Sequence, residues 1–156
     1  MAVAGDDAAL HELDRVTWSP VVTPSPPAQI GVPFFRDGRD PGNFLVAVVD
    51  GRVVGYAKLG RPHPVEAGRH VLEVQGLAVD PAHGRQGIGR LLIQAAILEA
   101  RARGARKLSL RVLGGNAPAR ALYESSGFHL EGILEGEFLL DGRYVDDVLM
   151  AITLGD

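Results

Sequence analysis

Leu77-Ala78-Val79-Asp80-Pro81-Ala82-His83-Gly84-Arg85-Gln86-Gly87-Ile88-Gly89-Arg90-Leu91-Leu92 carries an apolar, β-rich run into a glycine turn and on into a helix. Val79 closes a strand read over 71–79, Asp80-Pro81 interrupts it, and Gln86-Gly87-Ile88-Gly89 opens the helix. The first N–H groups of a helix have no intrahelical acceptor, and the helix dipole adds partial positive charge beside them. Glycines let an anion approach that bare backbone, and Arg85 and Arg90 add fixed charge. The segment therefore predicts a phosphate or pyrophosphate cradle. It is not a P-loop, which needs Lys and then Ser or Thr after its second glycine; here Arg90-Leu91 follows Gly89. Nor is it a dinucleotide fingerprint: Leu92 stands where the third glycine belongs, and the next strand ends in Arg111-Val112 instead of an acid.

Working outward, the helix is expected over 90–103, with Leu91, Leu92, Ala95, Ala96, Leu98 and Ala102 on one broad face and Gly104 ending it. Leu108, Leu110 and Val112 alternate in a strand over 106–112. A further helix runs from Asn116, a natural N-cap, to about residue 126 and stops at Gly127. Two hairpins flank this block. Asp50-Gly51 joins strands over 44–49 and 52–59, and Asp141-Gly142 joins strands over 128–140 and 143–152; both turns tolerate the positive φ of a type I′ hairpin. A first helix is read over 6–18, with Leu10, Leu13 and Val16 on one stripe and Asp6 or Asp7 as capping carboxylate. Residues 19–42 hold six of the ten prolines together with Phe34 and Phe35, which makes an aromatic-bearing loop. The order predicts an α/β (α+β) fold, one domain over 1–156 with a mixed sheet covered by helices.

Composition removes several classes of function. The 156 residues carry a formal net charge of −3 and no basic run, which argues against a nucleic-acid groove or a membrane-binding polybasic face. There is no cysteine, hence no disulfide framework, thiolate metal site or thiol acyl-enzyme. The N-terminus lacks a signal-peptide pattern and no apolar run approaches a membrane span, so a cytoplasmic location is expected. His11, His63, His70, His83 and His129 show no metal-ligand spacing, and no metal is expected. Ser109, Ser125 and Ser126 lack the Gly-x-Ser-x-Gly context of a serine hydrolase.

The glycine turn resembles the phosphate-binding motif of the GNAT N-acetyltransferase superfamily: Gln or Arg, two residues, Gly, one residue, Gly or Ala. Gly87-Ile88-Gly89 matches, while Gly84 occupies the Gln or Arg position with Arg85 next to it. A second stretch, Asn116-Ala117-Pro118-Ala119-Arg120-Ala121-Leu122-Tyr123 with Gly127-Phe128 beyond, is similar to the family's Asn-x-x-Ala-x-x-Leu-Tyr-x-x-x-Gly-Phe. The two matches come in the family's order, separated by one helix and one strand, and the last hairpin also looks like that of many bacterial members. The resemblance implies a mostly antiparallel sheet, splayed between the strands ending near Val79 and Val112, with acetyl-CoA in the splay. It assigns cofactor contacts to Leu77, Ala78 and Val79, to Gly84, Arg85, Gln86, Gly87, Ile88, Gly89 and Arg90, and to Asn116 and Tyr123. The activity implied is acetyl transfer to a primary amine, on a protein or a small molecule, by direct attack in a ternary complex. A non-catalytic acyl-CoA-binding or sensing module on the same fold is the alternative, and a homodimer is left open.

An amine acceptor is mostly protonated near neutral pH, with pKa about 10.4 for lysine and about 8 for an α-amine, so a base is needed. Glu73 is the candidate: it precedes Gly87 by 14 residues, matching the spacing in histone-acetylating members, and strict alternation puts it on the strand face of Leu77 and Val79. The alternative is a solvated strand carboxylate. The resemblance gives the oxyanion contact to the Leu77 N–H and the role of proton donor to Tyr123, which otherwise reads as a packed helix aromatic. Asp146 and Asp147 are read as a solvated pair, with a place at the acceptor mouth as the rival.

Overall fold

In the computed structural model, which describes residues 1–155, three α-helices and six strands follow in the order α1 (Asp7–Thr17), β1 (Phe44–Val49), β2 (Arg52–Gly60), β3 (Val71–Val79), α2 (Ile88–Ala102), β4 (Lys107–Leu113), α3 (Ala117–Ser125), β5 (His129–Leu140) and β6 (Arg143–Thr153). They form one sheet in the order β1-β2-β3-β4-β6-β5, antiparallel except where β3 meets β4. Both Asp-Gly turns have the backbone a right-twisted hairpin demands. Asp50 and Gly51 lie at φ 48° and 76°, and Asp141 and Gly142 at 49° and 75°.

The parallel pairing is short. Val71 to Val74 pair with Lys107 to Leu110, and there the ladder ends. Beyond it β3 keeps β2 as its partner through Gly76 to Val79, and β4 keeps β6 through Arg111 to Leu113. The two central strands therefore diverge between their own neighbours, which is the expected splay.

The helices divide the two faces. On one, α2 buries Ile88, Leu92, Ile93, Ala96 and Ala100 against the sheet. This corrects the expected face: Leu91 and Leu98 are 63% and 65% exposed, and Ala102 is exposed too. The helix begins two residues earlier than the sequence pattern suggests, and the buried set follows the i, i+4, i+8, i+12 row from Ile88. On the other face, α1 buries Leu10 and Leu13 against Phe34, Phe44 and Tyr56, while Val16 lies on the exposed side. Here the loop over 19–42 sends one side chain into the core. Phe34 is buried, with ring centroids 5.0 Å from Phe44 and 5.8 Å from Tyr56, and such pairs add about 0.5–1.5 kcal/mol beyond area burial. Neither expected carboxylate caps α1. Asp6 accepts from Val3 N at 2.8 Å, and Asp7 accepts from Phe34 N and Phe35 N at 3.3 and 2.8 Å, anchoring the loop instead.

Candidate active site

A cavity of about 1290 Å³ follows the splay from one face of the sheet to the other. Of the residues singled out in the sequence, Glu73, Leu77, Ala78, Val79, Gly89, Asn116 and Tyr123 form its wall. Gly84, Arg85, Gln86, Gly87, Ile88 and Arg90 do not; they form the turn just outside it, with Gly84 through Gly87 exposed.

The turn is shaped by backbone. Asp80 Oδ1 accepts from Ala82 N at 2.9 Å and caps the tight 81–83 turn. Arg85 and Gly87 then both take positive φ, 61° and 78°, and Gly87 serves as N-cap of α2. The first helical bond runs from Leu91 N to Gly87 O at 3.0 Å, so the amides of Ile88, Gly89 and Arg90 have no intrahelical acceptor. A Cβ on Gly87 would meet nothing within 4 Å, so it is the positive φ and not lack of room that favours glycine there. Gly89 serves packing instead. A Cβ there would come within 3.3 Å of Leu122 Cδ2, so its bareness lets α2 approach α3. Gly84 lies at an ordinary φ of −62°, but a Cβ there would come within 3.2 Å of the Pro81 carbonyl oxygen. Arg90 Nη2 donates to Ser125 Oγ at 3.0 Å, a link to α3.

Past the turn, Asn116 caps α3, its Oδ1 accepting from Ala119 N at 3.3 Å. Tyr123 is 7% exposed, its ring 6.0 Å from that of Phe128, and among the described residues its hydroxyl has no hydrogen-bond partner. Burial pushes its pKa up to about 12, so the phenol holds its proton throughout the neutral range. Both bland expectations, cap and packed aromatic, thus hold together with a place on the cavity wall.

Glu73 sits on the face opposite to the expected one. Lys58 pairs with Gly76 and Leu59 with Val74, so Gln75 is an extra residue, a β-bulge. Each bulge reverses the alternation beyond it. Glu73 therefore shares the face of Gly76 and Ala78, toward α1, while Leu77 and Val79 face α2 and pack beside Leu92. Glu73 is partly buried, borders the cavity and has no ion-pair partner among the described residues. The carboxylate and the α2 cradle lie on opposite sides of the sheet, joined through the gap.

Two features were missed in the sequence, the anchoring role of Asp146 and a cluster around Asp14, while for Asp147 the solvated pair gives way to the rival reading's place on the cavity. Asp147 is not part of a solvated pair: it is 2% exposed, borders the cavity and lies 2.6 Å from Arg111 Nη2 without the alignment of a hydrogen bond. Burial, opposed by Arg111, raises its pKa above the ordinary carboxylate value. Asp146 accepts from Gly136 N at 2.8 Å and pins the bulge of β5. On the α1 face, Asp14 accepts from Tyr56 OH at 2.5 Å and from Arg39 Nη2 at 3.1 Å, and Arg39 lies 4.0 Å over the Phe34 ring. Only the charge of Asp14 within α1 could have signalled this cluster, and that charge resembles any solvated helix residue.

Among the described residues no group of three or more His, Asp or Glu is placed to hold a metal ion, and no helix is long and apolar enough to cross a membrane. The sequence pattern of the Acetyltransferase (GNAT) family matches residues 8–128. The ribosomal protein bS18-alanine N-acetyltransferase of Escherichia coli K12 is 43% identical over 79 residues, 50% of this chain and 53% of that relative. The chain thus spans about half the length of the curated relative it matches. The Streptococcus mutans UA159 protein smu.2055 has a TM-score of 0.85 and 31% identity, covering 98% of this chain and 96% of that one. A GNAT superfamily phosphinothricin acetyltransferase from Sinorhizobium meliloti, solved in complex with AcCoA, has a TM-score of 0.82 and 25% identity, covering 99% and 86%.

Proposed function

The chain belongs to the GNAT acetyltransferase family, and from that premise we propose that it transfers the acetyl group of acetyl-CoA to a primary amine by direct attack in a ternary complex. The observation that carries this reading is the continuous cavity crossing the β3–β4 gap, with a cradle of free amides at one end and Glu73 at the other. The residues present fit the cofactor. The amides of Ile88, Gly89 and Arg90 suit its pyrophosphate, the free edge of β3 from Leu77 to Val79 suits its pantetheine arm, and Asn116 and Tyr123 border the inner end. Arg85 and Gln86, exposed on the turn, supply charge and hydrogen bonds at its rim.

Bound acetyl-CoA supplies a thioester carbonyl at the gap. Glu73, on the α1 face, takes the proton from the incoming ammonium, directly or through a water, and leaves the amine nucleophilic. The Leu77 N–H donates to the carbonyl oxygen as negative charge develops there. Tyr123 faces the departing sulfur. With its pKa at about 12 against about 8.5 for an ordinary thiol, complete proton transfer from the phenol would be uphill by about 5 kcal/mol. Tyr123 therefore acts chiefly as a hydrogen-bond donor to the thiolate, whose final proton comes from solvent.

Residues 1–156 are read as one acetyltransferase domain, and the absence of cysteine fits a cytoplasmic enzyme. The test is release of free CoA thiol from acetyl-CoA in the presence of a panel of amines. Amine-dependent release with stoichiometric N-acetyl product is expected. Acetyl-CoA binding without release for any amine would favour the acyl-CoA-binding module instead.

A further inference from the structure

The α1 face of the cavity carries more positive charge than its carboxylates balance. Arg36 and Arg39 both border the cavity, and Lys58 stands beside it on the same face of β2, its Cβ 3.8 Å from where a Cβ on Gly76 would lie. One carboxylate faces this cluster from α1, Asp14, and both its oxygens are taken, one by the Tyr56 hydroxyl and one by Arg39. Arg36 commits one Nη to the carbonyls of Pro33 and Phe34, at 2.8 and 3.4 Å, which leaves its charge unmatched. Arg39 Nε is buried with no hydrogen-bond partner. Lys58, half-buried, has no ion pair or hydrogen bond among the described residues. Burial and the charges of Arg39 and Arg36 lower its pKa, the signature of cations crowded together without an anion. The other carboxylates on the cavity do not relieve this. Asp147 is engaged with Arg111, and Glu73 is paired with Gly60, one pleat from Lys58, or about 7 Å along the strand.

We propose that Arg36, Arg39 and Lys58 form an anion subsite in the acceptor half of the cavity, so that the acceptor is a small amino acid-like molecule with a carboxylate near the amine presented to Glu73. This rests on the acetyltransferase reading and narrows it. The ammonium seeks the unpaired carboxylate of Glu73, and the anionic end seeks Lys58, one pleat away, with Arg36 and Arg39 close enough to Lys58 to lower its pKa. A compact zwitterion meets both. A polyamine offers a second cation to a site already rich in cations, and the N-terminus of a peptide chain carries an amide where the subsite expects charge.

The experiment compares acceptor pairs that differ only in that charge: a set of L-amino acids against the matching L-amino acid amides, followed by thiol release at saturating acetyl-CoA. Wild type is expected to use the best carboxylate acceptors at least about tenfold better in kcat/KM than their amides, equivalent to about 1.4 kcal/mol. Arg36→Gln and Lys58→Met should each raise KM more for the acid than for the amide and leave the ratio of their kcat values near its wild-type value, while Lys58→Arg keeps the preference. Equal use of acids and amides, preference for amides, or turnover of neither overturns the anion subsite. The acetyltransferase reading fails separately, by absence of acetyl-CoA binding in a calorimetric titration without acceptor.

Discussion

On the α2 face, the features offered to a ligand are main chain: the open edge of β3 along the cavity and, at its rim, three free amides at the start of α2 and a positive-φ turn at Arg85 and Gly87. On the α1 face it is side chains: Glu73, Tyr56 with Asp14 and Arg39, and the aromatic cluster seated by the 19–42 loop. The first half is built from features that almost any side chain leaves intact, provided the glycines remain. The second half depends on which charges the chain presents, so it can be rewritten while the first stays fixed. The shape of the turn suits one donor, and the composition of the opposite wall selects the acceptor.

Substitutions should respect that division. The largest effect is expected from Gly87→Val. At φ 78° a branched side chain is strained whatever the space, and its methyl groups would cover the amides of the cradle. Losing two charge-assisted hydrogen bonds at about 2 kcal/mol each weakens acetyl-CoA about 10³-fold. The fold should survive, since the added Cβ meets no protein atom. Calorimetry and circular dichroism read both outcomes, and affinity within a few-fold of wild type would move the pyrophosphate elsewhere.

Tyr123→Phe keeps the ring against Phe128 and removes only the hydroxyl. It is expected to lower kcat by about 10²-fold with acetyl-CoA affinity unchanged. An acyl donor whose thiol has a lower pKa should lose less, because its thiolate needs less help; equal loss with both donors would make Tyr123 a positioning group, and no loss with either would make it a packing residue.

Glu73→Gln acts on the other half of the cavity. Turnover should fall about tenfold at low pH, where free amine is scarce, and recover as pH rises toward the acceptor's own pKa. Acetyl-CoA binding should not change. Superimposable pH–rate profiles for variant and wild type would remove Glu73 as base.

The smallest effect belongs to Asp147. Its pKa is raised in the folded chain, so ionisation disfavours folding, and this penalty grows as pH rises from the unfolded value of about 3.8 through the folded one. Asp147→Asn should therefore gain Tm relative to wild type across that acidic window and hold the difference constant above it. The change should be a few degrees, at about 2–4 °C per kcal/mol for a chain of this size. A difference independent of pH would mean that the pairing with Arg111 balances burial and leaves the pKa unshifted, and a difference of the opposite trend that the pairing outweighs it.

The α2 half of the site was legible because its signals are local. Gly87, Asn116 and both Asp-Gly turns act through the backbone of their own neighbours, and each has the local conformation that its sequence signal predicts. The α1 half depends on register between strands. The bulge at Gln75 is defined only by its pairing with Lys58 and Leu59, so alternation counted along one strand put Glu73 on the wrong face. Asp147 looks like a turn-adjacent surface acid until β4 brings Arg111 alongside it. Phe34 is in a proline-rich stretch with no periodicity, and it is held in the core by residues remote in sequence, the Asp7 carboxylate 27 residues earlier and the Phe44 and Tyr56 rings.

The β3–β4 gap is tested most directly as the cofactor site by a calorimetric titration of the wild-type chain with acetyl-CoA, paired with its thermal unfolding. Saturable binding of one acetyl-CoA per chain is expected, together with a Tm that climbs with ligand concentration, since a ligand taken only by the folded state stabilises it by mass action. No heat of binding and no change in Tm up to about 1 mM ligand, which at best allows an affinity of about −4 kcal/mol, would contradict the assignment of the gap as an acetyl-CoA site.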